Sequence, residues 1–336
     1  MRTFLLTLGV FGSVLLAGCG HVIRQAPNHG NQPFDFKQPP CKPAASPKAD
    51  DGTVAIRYLG AGGLAIRWQG QVLLTAPFFS HYGFPRVPFG HLKPDRQAIK
   101  DGMAPVVSSE VGAILAGHSH YDHLGDLPIV ARMYAPRARV YVNDSGLKLL
   151  NHTLGSRLES LEEHLGKPVQ LRDAQENRLP FRVTPVESEH APHLFRFHWA
   201  GGPVKEFWNG DWDDLRLWHM RSGTTLAFVI DLMDGDQVRY RIYYQDAASP
   251  RGKGAPPVFA PADRHPVDLA VLCMPGHQLV ENAPEWLLRQ LNPRHVLAIH
   301  YENFFEEDPM RFVPMLTDRL ANDYLGCIDE VLGESA

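Results

Sequence analysis

From Thr53 onward the chain alternates short apolar runs with turn residues, a pattern of strands more than of long helices. Val54–Leu59, Leu64–Trp68 and Val72–Thr75 predict three strands, with Gly-containing turns at 60–63 and around Gly70. Val111–Ala116 is uninterrupted apolar sequence and predicts a buried strand. Further strands are expected at Arg139–Val142, Val169–Leu171, Phe181–Val186, Thr224–Ile230, Val238–Tyr244, Val267–Leu272 and His295–Ile299. Leu147, Leu150, Leu154, Leu158, Leu161 and Leu165 recur at helical spacing and predict a helix over 145–165. Shorter helices are expected over 124–134, 284–291 and 309–322, and residues 77–95 read as an aromatic- and Pro-rich loop. No repeat of solenoid period appears. Strands separate the helices in two rough halves, which predicts an α/β fold of two sheets packed face to face with helices outside.

The first 52 residues read differently. Arg2 precedes an apolar stretch from Phe4 to Ala17, too short for a comfortable membrane span but suited to the core of a signal peptide. It ends in Leu16-Ala17-Gly18-Cys19, which resembles a bacterial lipobox. That resemblance implies cleavage before Cys19, lipidation of its thiol and stable anchoring of the new N-terminus in a membrane. With Gly20 and no Asp after the cysteine, the expected address is the periplasmic face of an outer membrane. The expected organisation is therefore a signal peptide over 1–18, a Pro-, Asn-, Gln- and Lys-rich tether over 19–52, and one folded domain over 53–336.

Composition narrows the class. Across 336 residues, 44% are apolar, enough for a sizeable core, and a net charge of −4 gives no bulk attraction to nucleic acid. Beyond Cys19 there remain Cys41, Cys273 and Cys327, an odd count that argues against a full disulfide framework. Cys273 lies in the apolar run Leu269–Met274 and reads as a packing residue; a Cys41–Cys327 pairing is left open.

The chemistry concentrates at 118–123, His-Ser-His-Tyr-Asp-His, directly after the buried strand. Imidazoles and carboxylates at this density suit borderline-soft divalent metals. His118 and His120, at i and i+2, can point together from a loop, whereas Asp122 and His123, entering a helix, can serve a neighbouring position. Three further candidates each follow an apolar β-run: His190, Asp246 and His300. His193 competes with His190, which lies closer to its strand end. His277 also follows a strand, as a pocket acid, a substrate contact or a plain loop histidine.

His118-Ser119-His120-Tyr121-Asp122-His123 matches the HxHxDH hallmark of the metallo-β-lactamase superfamily, and His190, Asp246 and His300 match its remaining ligand positions in order. The resemblance extends over roughly residues 53–325. It implies a four-layer αββα sandwich with a dinuclear metal site between the sheets. His118, His120 and His190 would hold one ion, Asp122, His123 and His300 the second, and Asp246 would bridge them. Two divalent ions are implied, zinc first, with manganese or iron also fitting such ligands. The stretch Tyr58-Leu59-Gly60 to Leu73-Leu74-Thr75-Ala76-Pro77 resembles the branch of L-ascorbate-phosphate lactonase-like and N-acyl-phosphatidylethanolamine phospholipase D-like proteins. That branch usually has Thr-Asp-Pro where this chain has Thr75-Ala76-Pro77, which puts the fine positioning of the ligands in question.

The implied reaction is hydrolysis by a water acidified between two cations, with Asp246, Asp122 and His277 as the candidate catalytic groups. No Gly-x-Ser-x-Gly elbow is present. The interval from Asp246 to His300 is too short for the inserted domain of the superfamily's nucleases, and the chain has no space for the flavin domain of its redox members. The aspartates at 122 and 246, where many true β-lactamases carry cysteine, disfavour antibiotic hydrolysis. Two aromatic segments, 78–89 and Trp199–Trp218, suit an apolar substrate wall or a lipid boundary. The expectation is a phosphodiesterase of the cell envelope acting on a lipid-like or small phosphodiester. Lactone hydrolysis and a non-catalytic metal-binding lipoprotein are the alternatives.

Overall fold

The computed structural model describes residues 14–17, 22–23, 52–83, 86–192, 200–303 and 318–334. In chain order its strands are β1 (Val14–Ala17), β2 (Val22–Ile23), β3 (Val54–Gly60), β4 (Gly63–Trp68), β5 (Gln71–Thr75), β6 (Val111–Leu115) and β7 (Arg139–Val142). They continue with β8 (Leu158–Ser160), β9 (Val169–Arg172), β10 (Arg178–Ser188), β11 (Thr225–Asp234), β12 (Gln237–Gln245), β13 (Leu269–Cys273) and β14 (Val296–Ile299). They form two seven-stranded sheets, ordered β1-β3-β4-β5-β6-β7-β8 and β2-β14-β13-β12-β11-β10-β9. Apart from β1 and β2, Gly52 is the sole described residue of the leader and tether read from the sequence; Cys19 and Cys41 lie outside the described residues.

The two sheets share one hydrophobic core. Trp68 of β4 donates from Nε1 to the Met233 carbonyl of β11 at 2.7 Å. The Gly112 Cα of β6 leaves no room for a side chain: a Cβ there would lie 2.5 Å from Leu179 of β10. Such close approach of inner faces is the geometry of a packed sandwich. The parallel pairs β5–β6, β6–β7 and β7–β8 in one sheet, and β12–β13 and β13–β14 in the other, need crossover connections. With the inner faces filled, helical crossovers have only the outer faces left, so the order is helix, sheet, sheet, helix. The expected four-layer αββα sandwich is the observed fold.

Two helices depart from expectation. The leucine spacing over 145–165 predicts one long helix, but the helix runs only over Asp144–Leu154. Gly155, at φ +50°, turns the chain out of it. Leu158–Ser160 then pairs with Val140–Val142 as an edge strand. Over 124–134 the structure has short helices at Tyr121–Leu124 and Leu127–Ile129, then a wide π turn at Val130–Tyr134. Pro128 has no N–H to offer to a preceding turn, so a continuous helix cannot pass through it. A capped helix at Arg96–Met103 follows the aromatic loop. The helix expected at 309–322 is described from Asp318 and runs to Glu334; residues 309–317 lie outside the described residues. No described helix is long and apolar enough to cross a membrane.

Candidate metal centre

Every candidate ligand sits at the C-terminal end of a strand. β6 feeds the 117–123 segment, β10 feeds His190, β12 feeds Asp246 and β14 feeds His300. Gly117 lets the β6 end close onto β12: a Cβ there would fall 2.7 Å from both Asp246 carboxylate oxygens and 2.6 Å from the Leu226 carbonyl. Between the two leading histidines, Ser119 points away and is fastened. Its N–H donates to Ser222 O at 3.0 Å and its hydroxyl to Asn143 Oδ1 at 2.5 Å. Asn143 donates in turn to the carbonyls of Ser222 and Thr224, each at 2.7 Å. His118 and His120 thus face one way, as alternation in an extended segment requires. The helix Tyr121–Leu124 starts at once and turns Asp122 and His123 to a neighbouring position.

The ligand atoms converge in three overlapping triads: His118, His120, His190; His118, His123, Asp246; and Asp122, His123, His300. In the first triad the ring centroids lie 4.8 Å (His118–His120), 4.9 Å (His118–His190) and 4.8 Å (His120–His190) apart, a nearly equilateral cup. In the third, His300 Nε2 lies 3.2 Å and His123 Nε2 3.8 Å from Asp122 Oδ2. Asp246 joins them, with Oδ1 3.2 Å from His118 Nδ1 and Oδ2 3.2 Å from His123 Nδ1. The sequence-derived set of His118, His120, Asp122, His123, His190, Asp246 and His300 is therefore brought together in full.

Burial alone would raise the Asp246 and Asp122 carboxyls. Instead, His123 and His118 hold Asp246, and His123 and His300 hold Asp122, well below the ordinary carboxylate range. Burial and the neighbouring His123 push His118 down, toward the neutral form that ligates metals. His123 rises: Asp246 and Asp122 outweigh its burial. His118 Nε2 is buried without a hydrogen-bond partner. A stranded buried acceptor is costly in a finished core and is the expected state of a ligand atom. Five imidazoles and two carboxylates in this arrangement fit divalent zinc-like ions.

His277 is not among the converging groups. Its ring is buried against Tyr324 (centroids 4.9 Å) and its Nδ1 lies 2.8 Å from the Met274 carbonyl, so it serves as a packing and turn residue. The Gly276 turn carries it away from the ligands toward the C-terminal helix. His193 and Trp199 lie outside the described residues. Cys273 is buried as expected, and burial, then the nearby Asp246, push its thiol well up. Ala76 is wholly enclosed, its N–H bonded to Leu115 O at 2.7 Å.

The aromatic segments divide by role. Phe78, Phe79, Tyr82 and Trp212 are buried, and Trp212 donates to the Gly125 carbonyl at 2.8 Å. Phe89, Phe207 and Trp218 are exposed by 80%, 50% and 53%. Residues the sequence did not single out complete the site's surroundings. Tyr244 donates to Gly62 O at 2.6 Å and lies 3.4 Å from Asp246 Oδ2. The buried Glu302 carboxylate accepts from the Tyr58 hydroxyl and the Ala61 N–H. Glu302 stands two positions after His300, the one local signal that could have marked it.

Two packed sheets bearing this ligand set at their strand ends make the chain a metallo-β-lactamase-fold protein. In sequence it is similar to UPF0173 metal-dependent hydrolases. The chain is 30% identical over 209 residues to one from Cupriavidus taiwanensis, covering 54% of this chain and 62% of that protein. It is 28% identical over 206 residues to one from Cupriavidus necator, covering 56% of this chain and 61% of that protein. The chain thus spans about three-fifths of the length of these curated relatives. No family model matches it. Igni18, a metallo hydrolase of the hyperthermophilic archaeon Ignicoccus hospitalis, aligns at 14% identity and a TM-score of 0.44, covering 81% of this chain and 91% of that one.

Proposed function

We propose that the chain is a metal-dependent hydrolase that cleaves a lipid-like or small phosphodiester at the surface of a cell envelope, tethered through a lipidated Cys19 at the periplasmic face of an outer membrane. The carrying observation is the Asp246 carboxylate, whose two oxygens face His118 and His123 and so join two half-sites. Two divalent ions held there would acidify water and neutralise charge on the leaving oxygen. The chain's own groups have narrower tasks. His118, His120 and His190 hold one half-site, and Asp122, His123 and His300 the other. Asp246, kept ionised by its imidazoles, stands ready to orient the attacking water. The Cys273 thiol is held protonated and does not compete as a nucleophile.

The exposed aromatics support a lipid-like substrate. Trp218 carries the Arg216 guanidinium 5.2 Å from its ring centroid, and Arg216 also reaches His91 at 2.9 Å. Leu92 N–H bonds to Leu215 O, so the Phe89 and Trp218 segments are joined beside the ligand helix that Trp212 contacts. Rings with adjacent cations suit the lipid–water boundary.

The test measures metal content together with hydrolysis of bis-p-nitrophenyl phosphate, for wild type and Asp246→Ala. About two metals per chain are expected, and the variant should lose more than about 100-fold in activity, beyond the usual cost of an outer-shell change. Turnover of lactones but not phosphodiesters would replace the proposed substrate with the lactonase alternative. Metal without any turnover would favour a binding lipoprotein, and absence of metal would overturn the reading altogether. Replacing Phe207 and Trp218 with Ser should lower turnover of phospholipid vesicles and spare the soluble ester; equal losses on both would remove the lipid argument.

A further inference from the structure

Beyond the ligands themselves, one buried carboxylate touches both flanks of the second half-site. Glu302 accepts from the Tyr58 hydroxyl with one oxygen and from the Ala61 N–H with the other. The Tyr58 oxygen also accepts the backbone N–H of His300 at 3.0 Å, and the Tyr58 ring stacks on Tyr301 with centroids 6.1 Å apart. Ala61 and His300 both hold left-handed backbones, at φ +45° and +67°, which L residues adopt only when their surroundings impose it. Next to Ala61, Gly62 lies hard against His123: a Cβ on it would fall 2.9 Å from His123 Nδ1. One side of this contact therefore sets the backbone of His300, and the other sets the wall behind His123. His120 stands instead beside the Ser119–Asn143 network, and His190 follows the β10 end.

We infer that Glu302 and Tyr58 are positioning residues that fix the geometry of the Asp122, His123 and His300 half-site, and so set the affinity of the second metal ion without touching it. The inference rests on the two-half-site reading above. It assigns the role that Ala76 cannot play to groups arriving from β3 and from the segment after β14. Outer-shell contacts orient metal ligands in general, and losing one commonly weakens metal affinity by about 10–100-fold.

Glutamine at 302 can keep the connection. Its amide oxygen can accept from Ala61 N–H, its amide nitrogen can donate to the Tyr58 oxygen, and the Tyr58 proton can turn to the Ala61 carbonyl, already 3.1 Å away. Alanine at 302 cannot. Phenylalanine at 58 removes the acceptor of the His300 N–H while keeping the ring.

The experiment titrates Zn2+ into the metal-free full-length protein and reads stoichiometry and stepwise affinity. His190→Ala and His300→Ala serve as references for loss of the first and second half-sites. Wild type should take up about two ions. Glu302→Ala and Tyr58→Phe should reproduce the His300→Ala titration in milder form, with the second ion weakened by about 10–100-fold and the first unchanged. Glu302→Gln should restore the second ion. Equal weakening of both ions would mark a merely structural role and overturn the inference, as would wild-type affinities in Tyr58→Phe. If Glu302→Ala fails to fold, Tyr58→Phe and Glu302→Gln decide alone. Fewer than two ions on the wild type would overturn the two-half-site reading and this inference together; two tight ions on every Glu302 and Tyr58 variant would overturn only the inference.

Discussion

The two half-sites share Asp246, but the ligand pairs of the 118–123 segment are supported differently: one is tied by hydrogen bonds, the other is pressed by neighbours. His118 and His120 stand on an extended segment secured by hydrogen bonds, with Ser119 fastened to Asn143 and Ser222. Asp122 and His123 stand on the first turn of a helix and are held by crowding: Gly62 presses on His123, and Tyr244 closes on Gly62. A hydrogen-bonded support loses strength in steps of about 1 kcal/mol per bond and can relax around a lost partner. A steric support tolerates no added atom, because close-packed interiors transmit displacement. Substitutions of equal size should therefore act unequally, depending on which half-site they reach.

The largest effect is expected from a single added methyl group. Gly62→Ala would put its Cβ 2.8 Å from the Tyr244 hydroxyl and 2.9 Å from the His123 ring. Both neighbours are rigid aromatic side chains in a packed interior, and room for the methyl group must come from moving the His123 ring, the Tyr244 ring or both. Overpacking of this kind costs about 1–3 kcal/mol of stability. Moved ligands should cost the second ion more than the roughly 100-fold upper end of outer-shell changes. Metal titration should show one tight ion remaining. Two tight ions, or loss of both, would break the claim that crowding at Gly62 acts on the second half-site and not the first.

A second probe lies on the same side of the site. Asp126, three residues past His123, accepts from Phe79 N–H at 2.6 Å, Ser80 N–H at 2.8 Å and the Ser80 hydroxyl at 2.6 Å, and so ties the aromatic loop to the ligand helix. Burial pushes its carboxyl up to about 6 against its hydrogen bonds. A folded-state value above the unfolded one of about 3.9 means that the native state holds the proton more tightly. Its stabilising contribution is complete below about pH 4 and is lost as the pH rises through about 6. The difference corresponds to about 3 kcal/mol. Asp126→Asn, neutral throughout, should lack that fall. Denaturant midpoints of the two proteins, measured from pH 4 to 7 with metal chelated so that ligand protonation cancels, should diverge by about this amount. Parallel curves would mean that the Asp126 carboxyl keeps an ordinary proton affinity.

The legible and the hidden parts of the molecule divide along similar lines. The core strands could be read because short, nearly unbroken apolar runs bounded by turn residues are buried on both faces, as at β4, β5 and β6. The ligands could be read because metal chemistry restricts the residue types, and because each lies where a strand ends. What stayed hidden depends on distant partners. The leucines after 154 keep a helical spacing, yet once Gly155 turns the chain Leu158 starts an edge strand and Leu161 and Leu165 flank a short turn, and periodicity alone cannot distinguish the cases. Trp208 and Trp212 look as suited to a lipid boundary as Trp218, but Trp212 is buried on the Gly125 carbonyl and Trp208 packs at a tilt against His219, with centroids 4.7 Å apart. His277 follows a strand end as His300 does, but the left-handed Gly276 directs it elsewhere. Glu302 and Tyr58 are 244 positions apart, and no local pattern connects them.

The smallest effect sharpens the comparison from the hydrogen-bonded side. Ser119→Ala removes one hydroxyl between His118 and His120 and leaves the Ser119 N–H on the Ser222 carbonyl. Asn143 keeps its other contacts, with Gly146 N–H at 2.7 Å and the two carbonyls beyond. One buried hydrogen bond of this kind contributes about 1 kcal/mol to stability. The segment it fastens carries two of the three ligands of the first half-site, so the first ion should weaken by about tenfold, at the low end of outer-shell effects. The partners of that network are Ser222, Thr224 and Gly146, not His300 or Gly62, and the second ion should bind as in the wild type. Taken with Gly62→Ala, the two titrations should be mirror images of unequal depth. If Ser119→Ala weakened both ions alike, the shared Asp246 carboxylate would be transmitting the disturbance, and the half-sites would have to be treated as one rigid cluster.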